Sequence, residues 1–170
     1  MKLPFSQEVN GKPTHFVEKI WKGLKESLSK ELHARHEAQM THEELTKPYE
    51  VDSDIYPLVL PKIHTIRRDL KNRWKAKALI HFVINFRGNK TYQFAPVLPV
   101  VSTQKFLIKY SKVRTGVWSL DATIWIDGKL FLDDYLIIAN NSGFESEQDF
   151  FDYFSEDYIG KIIHWTDLKY

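Results

Sequence analysis

Lys62-Ile63-His64-Thr65-Ile66-Arg67-Arg68-Asp69 is the one stretch of this chain whose residue types and spacing could do chemistry. An amine and a hydroxyl stand three positions apart, and a turn here would aim both at one pocket. Ile63 and Ile66 would face inward, while the His64 ring and the two guanidinium groups framed the opening. Such a pocket, with Lys62 and Thr65 in it and His64, Arg67 and Arg68 around it, would suit a polar or anionic ligand.

The charge pattern supports a basic groove. Between 61 and 90, Lys62, Arg67, Arg68, Lys71, Arg73, Lys75, Lys77, Arg87 and Lys90 stand against Asp69 alone. Between 131 and 159 the acidic residues Asp133, Asp134, Glu145, Glu147, Asp149, Asp152, Glu156 and Asp157 stand without a lysine or arginine. The formal net charge is only +2, so one basic face and one acidic face are expected. Two solvated faces of an ordinary globule are the plainer alternative.

The elements that must position these residues can be read from periodicity. The chain has 170 residues, 43% of them hydrophobic and 14% aromatic, enough for the core of a single domain. The absence of cysteine excludes a disulfide framework, thiolate metal sites and a cysteine nucleophile, and fits a reducing compartment. No run approaches the roughly 18 apolar residues of a membrane span, and the N-terminus has no sustained apolar core, so a soluble, cytoplasmic protein is expected.

Gly11-Lys12-Pro13-Thr14 reads as a turn bringing Thr14 to a helix N-cap. Phe16, Ile20, Leu24, Leu28 and Leu32 recur every four residues, which predicts a long helix to about Met40. His33, His36, Glu37 and His42 lack the His-Glu-x-x-His spacing of a metalloprotease and read as a solvated face, so no metal or other cofactor is expected. Ile55–Leu60 reads as a short, proline-limited extended segment. Strands are predicted over 78–86, 92–94, 97–101, 105–110 and 122–126, with Asp127-Gly128 as a hairpin turn into 129–131.

A short helix is expected over 132–139. Ser146 and Asp149 resemble a capping box for a second, ended by Gly160, and 161–165 reads as a closing strand. The fold class is therefore α+β: short mixed strands with a long N-terminal helix and short late helices.

With these residues in place, the Lys62-x-x-Thr65-x-Arg67 motif resembles the ASCH family, whose domains share the PUA-like pseudobarrel fold of RNA-binding proteins. Asp127-Gly128, Gly143-Phe144-Glu145-Ser146 and Gly160–Asp167 extend the likeness over most of the chain after residue 61. Residues 24–60 read as an insertion or lengthened helix within one domain spanning 1–170.

The resemblance implies RNA or a nucleotide-like or modified nucleoside as ligand. Some bacterial members deacylate N4-acetylcytidine with a lysine, a threonine and a glutamate. Lys62 and Thr65 fall on the first two, but the acidic position falls on Ser142, and Ala76-Lys77 replaces a common Gly-Asp turn. Whether the chain is an enzyme is thus left open. Binding through Lys62, Arg67, Arg68 and Ser142, with Trp165, Trp74 or Tyr92 as stacking surfaces, is the first reading. Deacylation is the second, and a protein-interaction domain without a ligand the third. Oligomeric state is not legible.

Overall fold

The computed structural model describes residues 1–27, 54–55, 58–86, 90–112 and 120–170. The expected continuation of the first helix to Met40 and the histidine cluster at 33–42 lie outside them.

The architecture is α+β. In chain order the elements are β1 (Lys2–Pro4), β2 (Glu8–Val9), β3 (Lys12–Pro13), α1 (Phe16–Ser27), β4 (His64–Arg67), β5 (Leu79–Ile84), β6 (Tyr92–Gln93), β7 (Leu98–Pro99), β8 (Ser102–Lys112), β9 (Leu120–Ile126), β10 (Lys129–Leu130), α2 (Tyr135–Asn141), α3 (Glu147–Tyr153) and β11 (Tyr158–His164). One sheet has the order β1-β5-β6, with β7 also paired to β5. A second, five-stranded sheet runs β10-β9-β8-β11-β4, and β2 and β3 form a small hairpin. The pair β1–β5 is parallel, with Leu3 opposite Phe82.

Two apolar cores follow from this arrangement. The α1 stripe of Val17, Ile20 and Leu24 packs with Leu3, Phe5, Phe82 and Phe94. Phe106, Ile108, Ile124 and Ile126 of the larger sheet pack with Ile138, Phe150 and Phe154 of α2 and α3. Adjacent residues of β11 serve different cores because strand side chains alternate: Ile162 joins the second, Ile163 the first. Its partner β4 therefore lies at the seam between them, with Thr65 opposite Ile163 and His64 opposite His164.

Several local expectations are met by the chemistry that suggested them. Asp127 and Gly128 both have positive φ, at 52° and 81°, which is the geometry of a type I′ hairpin turn. The Ser146 hydroxyl accepts from the Asp149 amide at 3.1 Å and donates to its carboxylate at 2.7 Å, capping α3.

Others need correction. The Thr14 hydroxyl receives only the Phe16 amide, at 3.4 Å, and donates to the Ser6 carbonyl at 2.7 Å, while His15 accepts the first helical bond from Lys19. Ile55 and Leu58 are not in strands: the Leu58 amide donates to the Ile55 carbonyl at 2.9 Å. Helix α2 begins at Tyr135 instead of 132, because the Asp134 side chain caps it through the Leu136 amide at 2.8 Å. Gly160 does not end α3 but lies inside β11. A Cβ at that position would fall 2.6 Å from the Tyr158 ring and 2.8 Å from the Arg67 carbonyl, so close strand approach, not helix termination, accounts for the glycine.

Candidate functional site

The site is assembled on the C-terminal turn of α2. The Phe144 amide donates to the Ala139 carbonyl at 3.0 Å and the Gly143 amide to the Asn140 carbonyl at 2.8 Å, a Schellman motif with Gly143 at φ +89°. That closure leaves the carbonyls of 141, 142 and 143 facing outward, and three groups from elsewhere in the chain take them. The Ile63 amide donates to the Asn141 carbonyl at 3.1 Å. The Lys62 ammonium donates to the Ser142 carbonyl, and the Lys19 ammonium to the Gly143 carbonyl at 3.0 Å. Cations at the negative end of a helix are favoured by its dipole as well as by the hydrogen bonds. The Lys62 amide also donates to the Lys19 carbonyl at 2.8 Å, tying the entry of β4 to α1. Lys62 thus reaches the site from the extended chain ahead of β4, not from the turn that its spacing from Thr65 suggested.

Lys62 is only 2% exposed and Thr65 4%, and both line one narrow cleft with Arg67, Ser142, Phe16 and Phe144. The mouth is flanked by Tyr153, whose ring lies 5.4 Å from that of Phe144. Among the described residues, no carboxylate lines the cleft. The interior is small, about 30 Å³.

Burial controls the electrostatics. Desolvation, reinforced by the neighbouring charges of Arg67 and Lys19, holds the Lys62 amine well below its ordinary pKa. Lys62 lies 4.7 Å from the centre of the Phe16 ring, and neither Lys62 nor Arg67 forms an ion pair with a described carboxylate. Arg67 donates to the Pro4 carbonyl at 2.6 Å and lies 5.4 Å from the centre of the Phe5 ring. Its Nε is buried without a hydrogen-bond partner among the described residues, a costly state for a charged donor. Burial lowers its pKa as well.

Beneath the cleft lies a polar network. His64 Nε2 is 2.9 Å from the Ser142 hydroxyl, and His64 Nδ1 is 3.3 Å from the Tyr170 hydroxyl, which accepts from the Asn141 amide nitrogen at 2.9 Å. Gln104 secures Tyr170 from the other side, accepting from its backbone amide at 3.0 Å and donating to its carbonyl at 2.8 Å. His64 is fully buried and its pKa is held well below the ordinary value, first by desolvation and then by His164 and Lys62.

The sequence-derived candidates therefore divide. Lys62, Thr65, Arg67 and Ser142 share the cleft; His64 supports it from below through Ser142. Arg68 is not among the lining residues: it is exposed and lies 5.3 Å from the centre of the Tyr158 ring. Trp165 is 5% exposed and packs 5.1 Å from Phe82 in the first core, so it does not face the cleft. Trp74 and Tyr92 also belong to that core or its edge.

Phe16, Phe144, Tyr153, Tyr170 and Lys19 were missed. Their part in the site depends on contacts between distant segments, for which no local motif exists; only Gly143-Phe144, at a helix end, carried a signal.

Among the described residues, no group of histidines and carboxylates could hold a metal ion, and no helix is long and apolar enough to cross a membrane. No family model, curated protein or solved structure matches the chain.

Proposed function

We propose that the chain is an ASCH-type, PUA-like domain that binds RNA or a nucleotide-like ligand at the Lys62–Arg67 cleft. The observation carrying this reading is the pairing of two largely buried basic side chains, Lys62 and Arg67, in a cleft whose described lining contains no carboxylate. An anion from outside the protein would favour the charged forms that burial disfavours. The rings of Phe144 and Tyr153 at the mouth suit a stacked base, and stacking plus phosphate contact is the usual way single-stranded nucleic acid is held.

A second reading, deacylation of an N4-acylated cytidine, has the shared cleft of Lys62 and Thr65 and the lowered Lys62 pKa in its favour. It lacks an acid. Glu145, the nearest candidate in sequence, has a side chain 72% exposed and is ion-paired with Lys19 at 3.2 Å. Binding therefore ranks above turnover.

The test is fluorescence anisotropy of a short single-stranded RNA over a series of salt concentrations, run beside an assay for cytidine release from N4-acetylcytidine. The binding reading predicts affinity that falls with salt, at a logarithmic slope of about −0.7 per phosphate contacted, and no cytidine release. Turnover that disappears in Lys62→Ala would replace it with the deacylase reading. Absence of both would leave a protein partner as the domain's business.

A further inference from the structure

The most buried part of the cleft lining, Lys62, Thr65 and Ser142, is rich in hydrogen-bond donors. The polar side chains of the lining include the Lys62 ammonium, the Arg67 guanidinium with its unpartnered Nε, and the hydroxyls of Thr65 and Ser142. Hydroxyls can donate or accept, so the proton arrangement beneath the cleft decides what Ser142 offers. Burial raises the Tyr170 phenol pKa above its ordinary value, so this hydroxyl carries its proton. It already accepts from Asn141, and its proton faces His64 Nδ1 at 3.3 Å. A neutral His64 then carries its own proton on Nε2 and donates it to the Ser142 oxygen at 2.9 Å. The Ser142 oxygen accepts that bond, so its own proton is turned away from His64 and left for a ligand.

We infer that this part of the cleft receives a phosphate group, held by Lys62, Arg67, Thr65 and Ser142, with His64 and Tyr170 as positioning residues that keep the Ser142 hydroxyl donating. A tetrahedral oxyanion presents acceptors on every side and supplies negative charge, whereas a base needs both donors and acceptors. This assignment rests on the nucleotide reading above for the origin of the phosphate, but the site chemistry is the same for free phosphate. It also casts Ser142, which replaces the expected acid, as the residue that lets an anion enter: a carboxylate at that position would repel it.

The experiment is calorimetric titration of the full chain with inorganic phosphate, cytidine 5′-monophosphate and cytidine, on the parent, Ser142→Ala and Tyr170→Phe. The monophosphate should bind the parent at least roughly tenfold tighter than cytidine, and Ser142→Ala should lose about tenfold for the monophosphate and little for cytidine, the effect of one hydrogen bond to a charged group. Inorganic phosphate should compete with the monophosphate and shift the Arg67 Nε–H resonance in the parent, a readout that needs no variant to fold. Tyr170→Phe should change the nitrogen-15 shifts of His64 away from the Nε2–H tautomer.

Equal binding of the monophosphate and cytidine, with no competition by phosphate, overturns the phosphate site while leaving nucleoside recognition standing. Phosphate binding that Ser142→Ala abolishes, without any binding of RNA or the monophosphate, upholds the site and overturns its nucleic-acid origin. Silence of the Arg67 resonance together with no heat from any ligand overturns both.

Discussion

The two flanks of the α2 C-terminal turn solve the same problem differently. On one flank Lys19, 3% exposed, donates to the Gly143 carbonyl and forms an ion pair with Glu145. On the other, Lys62, 2% exposed, donates to the adjacent Ser142 carbonyl, but its neighbours are the Phe16 ring and a second cation, Arg67. Both lysines complete the helix end. Among the described residues, only the Lys19 flank has a carboxylate partner. A structural requirement explains a buried lysine at each position, yet does not explain why the other flank gathers two basic side chains with no described carboxylate, and that asymmetry is the reason to place a ligand on the Lys62 side.

The largest expected effect breaks both flanks at once. Gly143 has φ +89°, and a Cβ there would lie 2.9 Å from the Phe16 ring and 3.0 Å from the Lys62 side chain. Gly143→Ala should destabilise the fold by about 3 kcal/mol, combining left-handed backbone strain with a clash against the site. Urea denaturation monitored by tryptophan fluorescence measures this; a change below about 1 kcal/mol would mean that the turn is not the rigid base of the site.

Acid should act next, on the network beneath the Lys62 flank. Burial holds the His164 pKa down to about 4, and His64 is lowered by the same cause. Between the unfolded value of about 6.5 and the folded one, the unfolded chain binds the extra proton, so stability is present above pH 6.5 and lost as pH falls towards 4. His164→Gln should flatten that decline in denaturation midpoints measured from pH 7 to pH 4. An unchanged slope would show that His164 is not a proton acceptor of the unfolding reaction.

Exchanging each lysine for methionine sharpens the comparison further. Lys62→Met and Lys19→Met each remove the donor to a carbonyl, at a cost of about 1–3 kcal/mol. Lys62→Met also removes a desolvated amine, whose burial cost offsets part of its loss. The stability costs should therefore be similar or smaller at 62, whereas only Lys62→Met should weaken ligand binding. The smallest effect belongs to Arg68→Ala. Its side chain is exposed against Tyr158, so a loss of about 0.5 kcal/mol in thermal or urea unfolding is expected, with little change in binding.

How much of this was legible beforehand depended on the range of the interactions. The β5 and β9 strands, the Asp127-Gly128 turn and the Ser146 cap are encoded by neighbours, and their residue types alone were enough. Lys62 and Thr65 line one cleft, but not through the expected geometry: no turn joins them, and Lys62 is placed by the Lys19 and Ser142 carbonyls far away in sequence. Trp165 looked like a stacking surface because an aromatic in a strand reads the same on either face; in the structure it lies just past the end of β11 and packs in the first core beside Phe82. Tyr170 could not have been assigned at all, since its role depends on Gln104 and Asn141 gathering the last residue under β4.

The most direct test of the central claim is a side-by-side measurement of single-stranded RNA affinity by anisotropy for the parent, Lys62→Met and Lys19→Met at one low salt concentration. The account predicts tight binding by the parent and by Lys19→Met, with affinity reduced at least about tenfold in Lys62→Met, as for loss of a buried charge contact. Equal affinities in all three, or a larger loss in Lys19→Met, would contradict it.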